Sequence, residues 1–183
     1  MRFTRLPLLL AFAWLAIRWT LSMKLDAESA KNAGVLINIL FILLIIFLSI
    51  NAQYRGAKQK TSSFLEDFKV CMKPALVYVL CSVVFIGVFY AWLSDDIVEL
   101  RNAHINHFNE GIKDENNLAN FLSQHPEENG KSVEELMQKN RDNVERNISV
   151  QTWVMGGSLA LTMVAAAYSL LAVFFWRSFV RKW

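Results

Sequence analysis

Two histidines in a polar stretch of the sequence come nearest, by type and spacing, to a metal site. His104 and His107 are three residues apart, and Glu110 follows after three more. On a helix this spacing places both imidazoles on one face, and a divalent metal would still need a further ligand, such as His125 or a carboxylate. The spacing differs from the HExxH pattern of zinc proteases. We therefore treat His104 and His107 as weak metal candidates and expect neither a resident metal nor another cofactor.

Carboxylates are dense in the same polar stretch. A pair of them could perform acid–base catalysis, but exposed and flexible surroundings leave little means of tuning their pKa values. The dense positions are Asp114, Glu115, Glu127, Glu128, Glu134 and Glu135. No glycine-rich phosphate loop and no Ser/His/Asp arrangement accompanies them. A solvated acidic surface is the favoured interpretation, and we name no catalytic residue.

Four long apolar runs separate the charged segments, and 54% of the 183 residues are apolar. A helix that crosses a bilayer needs about 20 mostly apolar residues, because its backbone groups must be satisfied internally. The runs predict an all-α, single-domain bundle (residues 1–183) of four transmembrane helices at 3–23, 33–50, 74–93 and 153–176.

The first run has features of both a signal peptide and a membrane span. Its small-residue triplet, Ala11 to Ala13, lies inside the apolar core rather than after it, so we expect a retained span. Arg18 lies a few residues from the far end of this run, where a long side chain can snorkel to the headgroups. The alternative for Arg18 is pairing with a lipid phosphate or with a partner's carboxylate.

The distribution of charge predicts the orientation. Lys and Arg cluster beside one end of the spans, which the positive-inside rule places in the cytosol. These residues are Arg2, Arg5, Arg55, Lys58, Lys60, Lys69, Lys73, Arg177, Arg181 and Lys182. We therefore expect both termini in the cytosol, residues 94–150 outside, and a bacterial inner membrane as the location. The basic face is expected to meet anionic lipid rather than nucleic acid.

Two segments outside the spans carry helix signals. Ser63 with Glu66 forms a capping box, and residues 63–73 predict a short interfacial helix leading into the third span. Ser132 with Glu135 forms a second box. No Gly or Pro lies between Leu93 and Gly111. We therefore expect spans three and four to continue outward as the two legs of a helical hairpin, residues 94–150.

The fourth span is rich in small residues, which allow another helix to approach closely. The predicted packing positions are Gly156, Gly157, Ser158, Ala160, Thr162 and Ala166. Packing within the chain and packing with a partner both remain open. The spans also lack the paired acids, histidine relays and broken helices that are typical of transporters.

The layout resembles an uncharacterised family of four-helix bacterial membrane proteins, a domain of unknown function common in Bacteroidota. The similarity rests on the block from Ser63 to Val70 before span three and on the segment from Trp92 to Asp96 after it. A long polar helical loop and a Gly-containing last span with a basic end complete it. The resemblance implies a four-helix membrane fold, and it implies no activity or catalytic residue.

Three functions remain open at this point. The first is a non-enzymatic accessory or scaffold subunit that packs with itself or with a larger membrane complex. The second is a lipid-handling or small-solute membrane protein that contacts headgroups through Arg18, Lys69 and Lys73. The third and weakest is a metal-dependent enzyme at the outer face.

Overall fold

The computed structural model describes residues 5–56 and 63–180. Within these ranges every regular element is helical, so the all-α prediction is confirmed for them. The helices are α1 (Arg5–Ser22), α2 (Ala27–Gly56), α3 (Phe64–Val88), α4 (Asp96–Gly111), α5 (Glu115–Gln124), α6 (Val133–Asn147) and α7 (Val150–Phe175). Wider π-helical turns extend α3 over Phe89–Leu93 and α7 over Trp176–Val180, and a 3-10 turn covers Pro126–Glu128.

Four of the described helices are long and apolar enough to cross a membrane. These segments are Arg5–Ser22, Ala27–Gln53, Phe64–Leu93 and Val150–Ser178. The protein is therefore a membrane protein with four candidate transmembrane helices, as the sequence predicted. The predicted start at Phe3 and the basic residues Arg2, Lys58, Lys60, Arg181 and Lys182 lie outside the described residues.

Helix α3 lies at the centre of the bundle and packs against α1, α2 and α7. Its buried stripe includes Ala75, Tyr78, Ser82 and Ile86, whose spacing of three to four residues keeps them on one face. Contacts between the start of α3 and the end of α7 show that these helices are antiparallel. Pro7 of α1 lines a groove together with Lys73 and Pro74 of α3, so both ends of the described chain lie at one end of the bundle.

The predicted capping boxes are present. Ser63 accepts a hydrogen bond from the Glu66 amide at 3.2 Å, and the Glu66 carboxylate accepts one from the Ser63 amide at 2.8 Å. Ser132 and Glu135 repeat this arrangement at the start of α6. Helix α3 runs without interruption through Pro74. Residues 64–73 are thus the first turns of a long helix rather than a separate one.

The predicted continuity between the spans and the hairpin is wrong. Ser94 is extended (φ −147°, ψ 139°), and its hydroxyl accepts a hydrogen bond from the Asp96 amide, which starts α4. Ser149 is extended too and caps α7 by accepting from the Thr152 amide. A serine side chain can end one helix and begin another without any Gly or Pro, because its oxygen replaces the missing backbone acceptor.

Helices α4 and α6 pack against each other as the two legs of a hairpin. Ile105 of α4, Ile112 directly after this helix and Leu136 of α6 are buried. The Arg101 Nε donates to the Ile148 carbonyl oxygen at 2.5 Å. This bond ties the first leg to the break before α7.

Candidate functional site

Arg18 is held inside the protein, which differs from the snorkelling arginine suggested by the sequence. Its side chain is 1% exposed. The Nη2 atom donates to the Asp96 carboxylate and, at 3.1 Å, to the Tyr90 hydroxyl. Its guanidinium carbon also lies 4.8 Å from the ring centre of Phe89, within cation–π range. The carboxylate that pairs with Arg18 therefore comes from the same chain.

The surrounding backbone is shaped to admit this arginine. A Cβ atom on Gly34 would lie 2.9 Å from the Arg18 Cδ, so only glycine leaves room for the side chain. The Trp14 Nε1 donates to the Gly34 carbonyl oxygen at 2.9 Å and fixes α1 against α2 at this point. The other Asp96 oxygen accepts from the Ser94 hydroxyl. The break after α3 thus positions the acid that neutralises Arg18.

A cavity of about 110 Å³ lies beside Arg18, where α1, α2, α3 and α7 meet. We call it the Arg18 cavity. It is lined by Trp14, Arg18, Lys31, Gly34, Val35, Asn38, Ile86, Tyr90, Trp153, Gly157, Ala160 and Leu161. Two of these residues are cationic and none is acidic. The cavity therefore combines aromatic walls with a positive lining.

A larger groove of about 640 Å³ lies at the other end of the bundle, between α1, α2 and α3. We call it the Lys73 groove. The described residues that line it are Pro7, Ser49, Ala52, Gln53, Val70, Lys73, Pro74, Leu76 and Val77. Its volume is within the range of ordinary ligand pockets. Lys73 is exposed, and it is the charged residue among this lining.

A second buried ion pair lies at the same end of the bundle as the Lys73 groove. Arg177 Nε donates to the Asp67 carboxylate at 2.8 Å, and the Asp67 side chain is fully buried. The Arg177 guanidinium also lies 5.8 Å from the ring centre of Phe64. The pair ties the start of α3 to the end of α7. The sequence analysis places Arg177 at the cytosolic end and does not pair it with Asp67, although opposite charges at the same predicted end are a usable signal.

The metal candidates do not come together with further ligands. His104 and His107 are exposed on α4, and the His104 Nδ1 lies 2.9 Å from the Leu100 carbonyl oxygen. Among residues 5–56 and 63–180, no group of three or more His, Cys, Asp or Glu side chains could hold a metal ion. These residues give no support to the third functional hypothesis.

The small residues of α7 divide between two faces. The buried stripe consists of Leu161, Ala165, Ser169 and Val173, and the half-buried Gly157 lies against Ile86. Gly156 and Ala160 are exposed instead, and beyond its own helix no atom of the described residues lies within 4 Å of the place a Gly156 Cβ would take. Ser158, Thr162 and Ala166 are half-buried at the boundary between these faces. The sequence could not separate the two faces, because small residues occupy both.

The chain matches a known protein family over most of its length. Residues 7–178 match the family DUF4199, described as a protein of unknown function. The chain belongs to the DUF4199 family. The resemblance inferred from the sequence is thereby confirmed, while an origin in Bacteroidota stays a prediction. No curated protein and no solved structure matches the chain. Membership in DUF4199 brings no activity, so the function must be argued from the cavities and charges described above.

Proposed function

We propose that this membrane protein binds an anionic lipid, with an acyl chain in the Lys73 groove and the headgroup phosphate at the Lys73 ammonium. The main support for the proposal is that a largely apolar groove of about 640 Å³ has a lysine, Lys73, among its lining residues. The groove lining among the described residues contains no acid that would repel a phosphate.

The position of Lys73 along α3 fits a headgroup. The hydrocarbon core of a bilayer is roughly 30 Å thick, or about 20 helical residues at 1.5 Å each. Counting back from Leu93, the end of the apolar segment, this length reaches Lys73 and Pro74. Lys69, one turn earlier and also exposed, adds a second charge near the same level. A juxtamembrane lysine contributes about 1 kcal/mol of attraction to an anionic surface.

The proposed location is a bacterial inner membrane with both termini in the cytosol. The excess of Lys and Arg at the end of the bundle that holds Lys73 supports this orientation. The Lys73 groove would then open towards the cytosolic leaflet, whose anionic lipids match its charge.

Lipid retention tests the proposal directly. Protein in a neutral detergent is mixed with phosphatidylglycerol or with phosphatidylcholine, and bound lipid is counted by native mass spectrometry. We expect retention of phosphatidylglycerol and a loss of about fivefold in its affinity in Lys73→Gln, the equivalent of about 1 kcal/mol. Lys24→Gln is the matched control, because Lys24 is exposed near the opposite end of the bundle.

A second pair of variants tests the groove without changing charge. Ala52→Phe places a large side chain in the groove, and Ala167→Phe makes the same change on the exposed face of α7. Only Ala52→Phe is expected to reduce lipid retention. Equal retention of both lipids by the wild-type chain, or equal effects of the two phenylalanine variants, would reject the proposal.

A second candidate function is an accessory or scaffold subunit that associates through α7. The observation in its favour is the open Gly156 position beside the exposed Ala160, flanked by Met155, Leu159 and Met163, each at least 63% exposed. Close helix approach in lipid depends on such small residues. The partner on this face would be a second copy of the chain or another membrane subunit.

Self-association in lipid bilayers tests this candidate. Energy transfer between donor- and acceptor-labelled copies is expected to fall in Gly156→Leu, because the added side chain keeps the two backbones apart, and Gly156 does not line the Arg18 cavity. Leu80→Phe on α3 is the control, since Leu80 is 67% exposed on a different face. No energy transfer in the wild type at any protein-to-lipid ratio would exclude pairing of identical copies.

A further inference from the structure

Arg18, which lines the Arg18 cavity, has one side-chain nitrogen that lacks a hydrogen-bond acceptor within the described part of the chain. The Arg18 Nη2 is paired with Asp96 and Tyr90, but Nη1 is buried and has no hydrogen-bond partner among the described residues. A buried donor without an acceptor is costly, and more so when it is charged. A group that supplies an acceptor at this place would therefore stabilise the bundle.

A second cation faces the same cavity. Lys31, in the first turns of α2, lines it with its ammonium 5.5 Å from the ring centre of Trp153. Within the described residues no carboxylate oxygen lies within 4.0 Å of this ammonium. Asp96 offsets one positive charge, so the cavity keeps a positive excess in surroundings of low dielectric, where charge acts strongly.

The polar groups around the cavity favour acceptors over cations. Asn38 is buried in the lining, and its Oδ1 already accepts from the Tyr78 hydroxyl at 2.5 Å. The Asn38 amide nitrogen is thus the part of this side chain left to donate. The volume of about 110 Å³ corresponds to only a few water molecules, each taking about 30 Å³ in the liquid. A single small anionic group fits this size.

We propose that the Arg18 cavity binds one oxyanion group, a carboxylate or a phosphate, between the four spans. Lys31 attracts the group at the half-exposed side of the cavity, and Arg18 and Asn38 supply hydrogen-bond donors within it. The group belongs either to a free small anion or to the headgroup of an anionic lipid. The site is separate from the Lys73 groove, which lies at the opposite end of the bundle.

Tryptophan fluorescence provides the test, because Trp14 and Trp153 line the cavity. Full-length protein in neutral detergent is titrated with sodium acetate or sodium phosphate, with sodium chloride holding the ionic strength constant. Saturable changes are expected for at least one anion. Lys31→Met is expected to weaken binding about tenfold. Lys24→Met removes an exposed lysine outside the cavity and is expected to leave the anion affinity unchanged.

Two further measurements complete the test. Gly157→Ala adds a methyl group at the cavity wall, 3.9 Å from Ile86, and is expected to weaken binding without unfolding the chain. Phosphatidylglycerol that competes with the soluble anion identifies a lipid headgroup as the source, and no competition identifies a free anion. The absence of saturable binding, or equal losses in Lys31→Met and Lys24→Met, would overturn the proposal. Lys73→Gln separates the two proposals, since it is expected to affect only the groove.

Discussion

Arg18 carries a full positive charge at a place where almost no water reaches it. Desolvating an ion costs several kcal/mol, and the cost is offset only when a partner and further hydrogen bonds are close. Asp96 supplies the opposite charge, and Tyr90 and the ring of Phe89 add weaker contacts. The pair consequently constrains α1 and the start of α4 to one arrangement.

Removing one member of this pair is expected to be far worse than removing both. Arg18→Met leaves the Asp96 carboxylate buried without its cation, with an expected loss of about 3–5 kcal/mol in unfolding free energy. Arg18→Met/Asp96→Leu removes both charges and is expected to recover most of that loss. Unfolding by denaturing detergent, followed by circular dichroism, measures each value.

The matched comparison is Asp67→Leu combined with Arg18→Met, since Asp67 lies in the other buried pair, far from Arg18. In this double variant the losses of unfolding free energy from the two single substitutions are expected to add. Recovery in this unrelated pair as well would show that the effect does not come from charge pairing.

Sequence reasoning identified Arg18 as unusual but could not identify its partner. The two paired residues are 78 positions apart, and the acid was one of many in a polar segment. Distance along the chain carries no information about which acid returns to the bundle. Asp67 and Arg177 are 110 positions apart, and lying at the same predicted end was not enough to single them out as partners.

Among the elements, the hairpin formed by α4 and α6 shows most clearly how local signals succeed and fail. The capping boxes at Ser63 and Ser132 were readable because both of their partners lie within three residues. The breaks at Ser94 and Ser149 could not be predicted from the sequence, because a serine interrupts a helix only where tertiary contacts favour the interruption. At Ser94 that contact is the bond to Asp96, whose carboxylate meets Arg18.

The connection between α5 and α6 is held by charge. Glu128 accepts hydrogen bonds from Lys131, at 2.6 Å, and from Lys139 of α6. The Lys131 hydrogen bond, followed by that of Lys139, lowers the pKa of the Glu128 carboxyl below its ordinary value of 4.5. The stabilisation by the Glu128 carboxylate is therefore fully present above pH 4.5 and is lost as the pH falls through the lowered pKa.

The Glu128 ion pairs are expected to protect the backbone amides in the first turns of α6 from hydrogen exchange. At pH 7, Glu128→Gln is expected to reduce this protection about twofold relative to the wild type, in line with a surface ion pair. At a pH below the folded pKa of Glu128 the difference is expected to vanish. Glu134→Gln, an exposed acid in the same turn, is the control. A difference that persists in acid would show that charge is not the cause.

On the scale of the whole molecule, two buried ion pairs lie at opposite ends of one bundle. Arg18–Asp96 joins α1 to the start of α4, and Asp67–Arg177 joins α3 to α7. The four apolar helices and their order were predictable, because about 20 residues of apolar sequence leave few alternatives. The two cavities were not predictable, since they depend on how three or four helices meet.

The proposed orientation predicts a pattern of chemical labelling. In bacterial spheroplasts, a membrane-impermeant maleimide is expected to label Lys113→Cys without disruption of the membrane. Lys69→Cys is expected to react only after permeabilisation. Both positions are exposed, so a difference reports sidedness rather than burial. The native Cys71 and Cys81 serve as the background measured in the unmodified chain. The reverse pattern would invert the topology.

The pairing of Arg18 with Asp96 also sets an order of events during synthesis. Helix α1 has the lowest mean hydropathy of the four candidate spans, 1.2, and leaves the ribosome while its acid is still untranslated. At 5–20 residues per second, Asp96 follows Arg18 by roughly 4–16 s. Throughout that interval the inserting helix carries an orphan cation, at a cost of about 3 kcal/mol if it enters the bilayer centre. A chain truncated before residue 96 would lack the partner of Arg18 permanently, so its first helix would never gain the ion pair that holds it in the finished bundle.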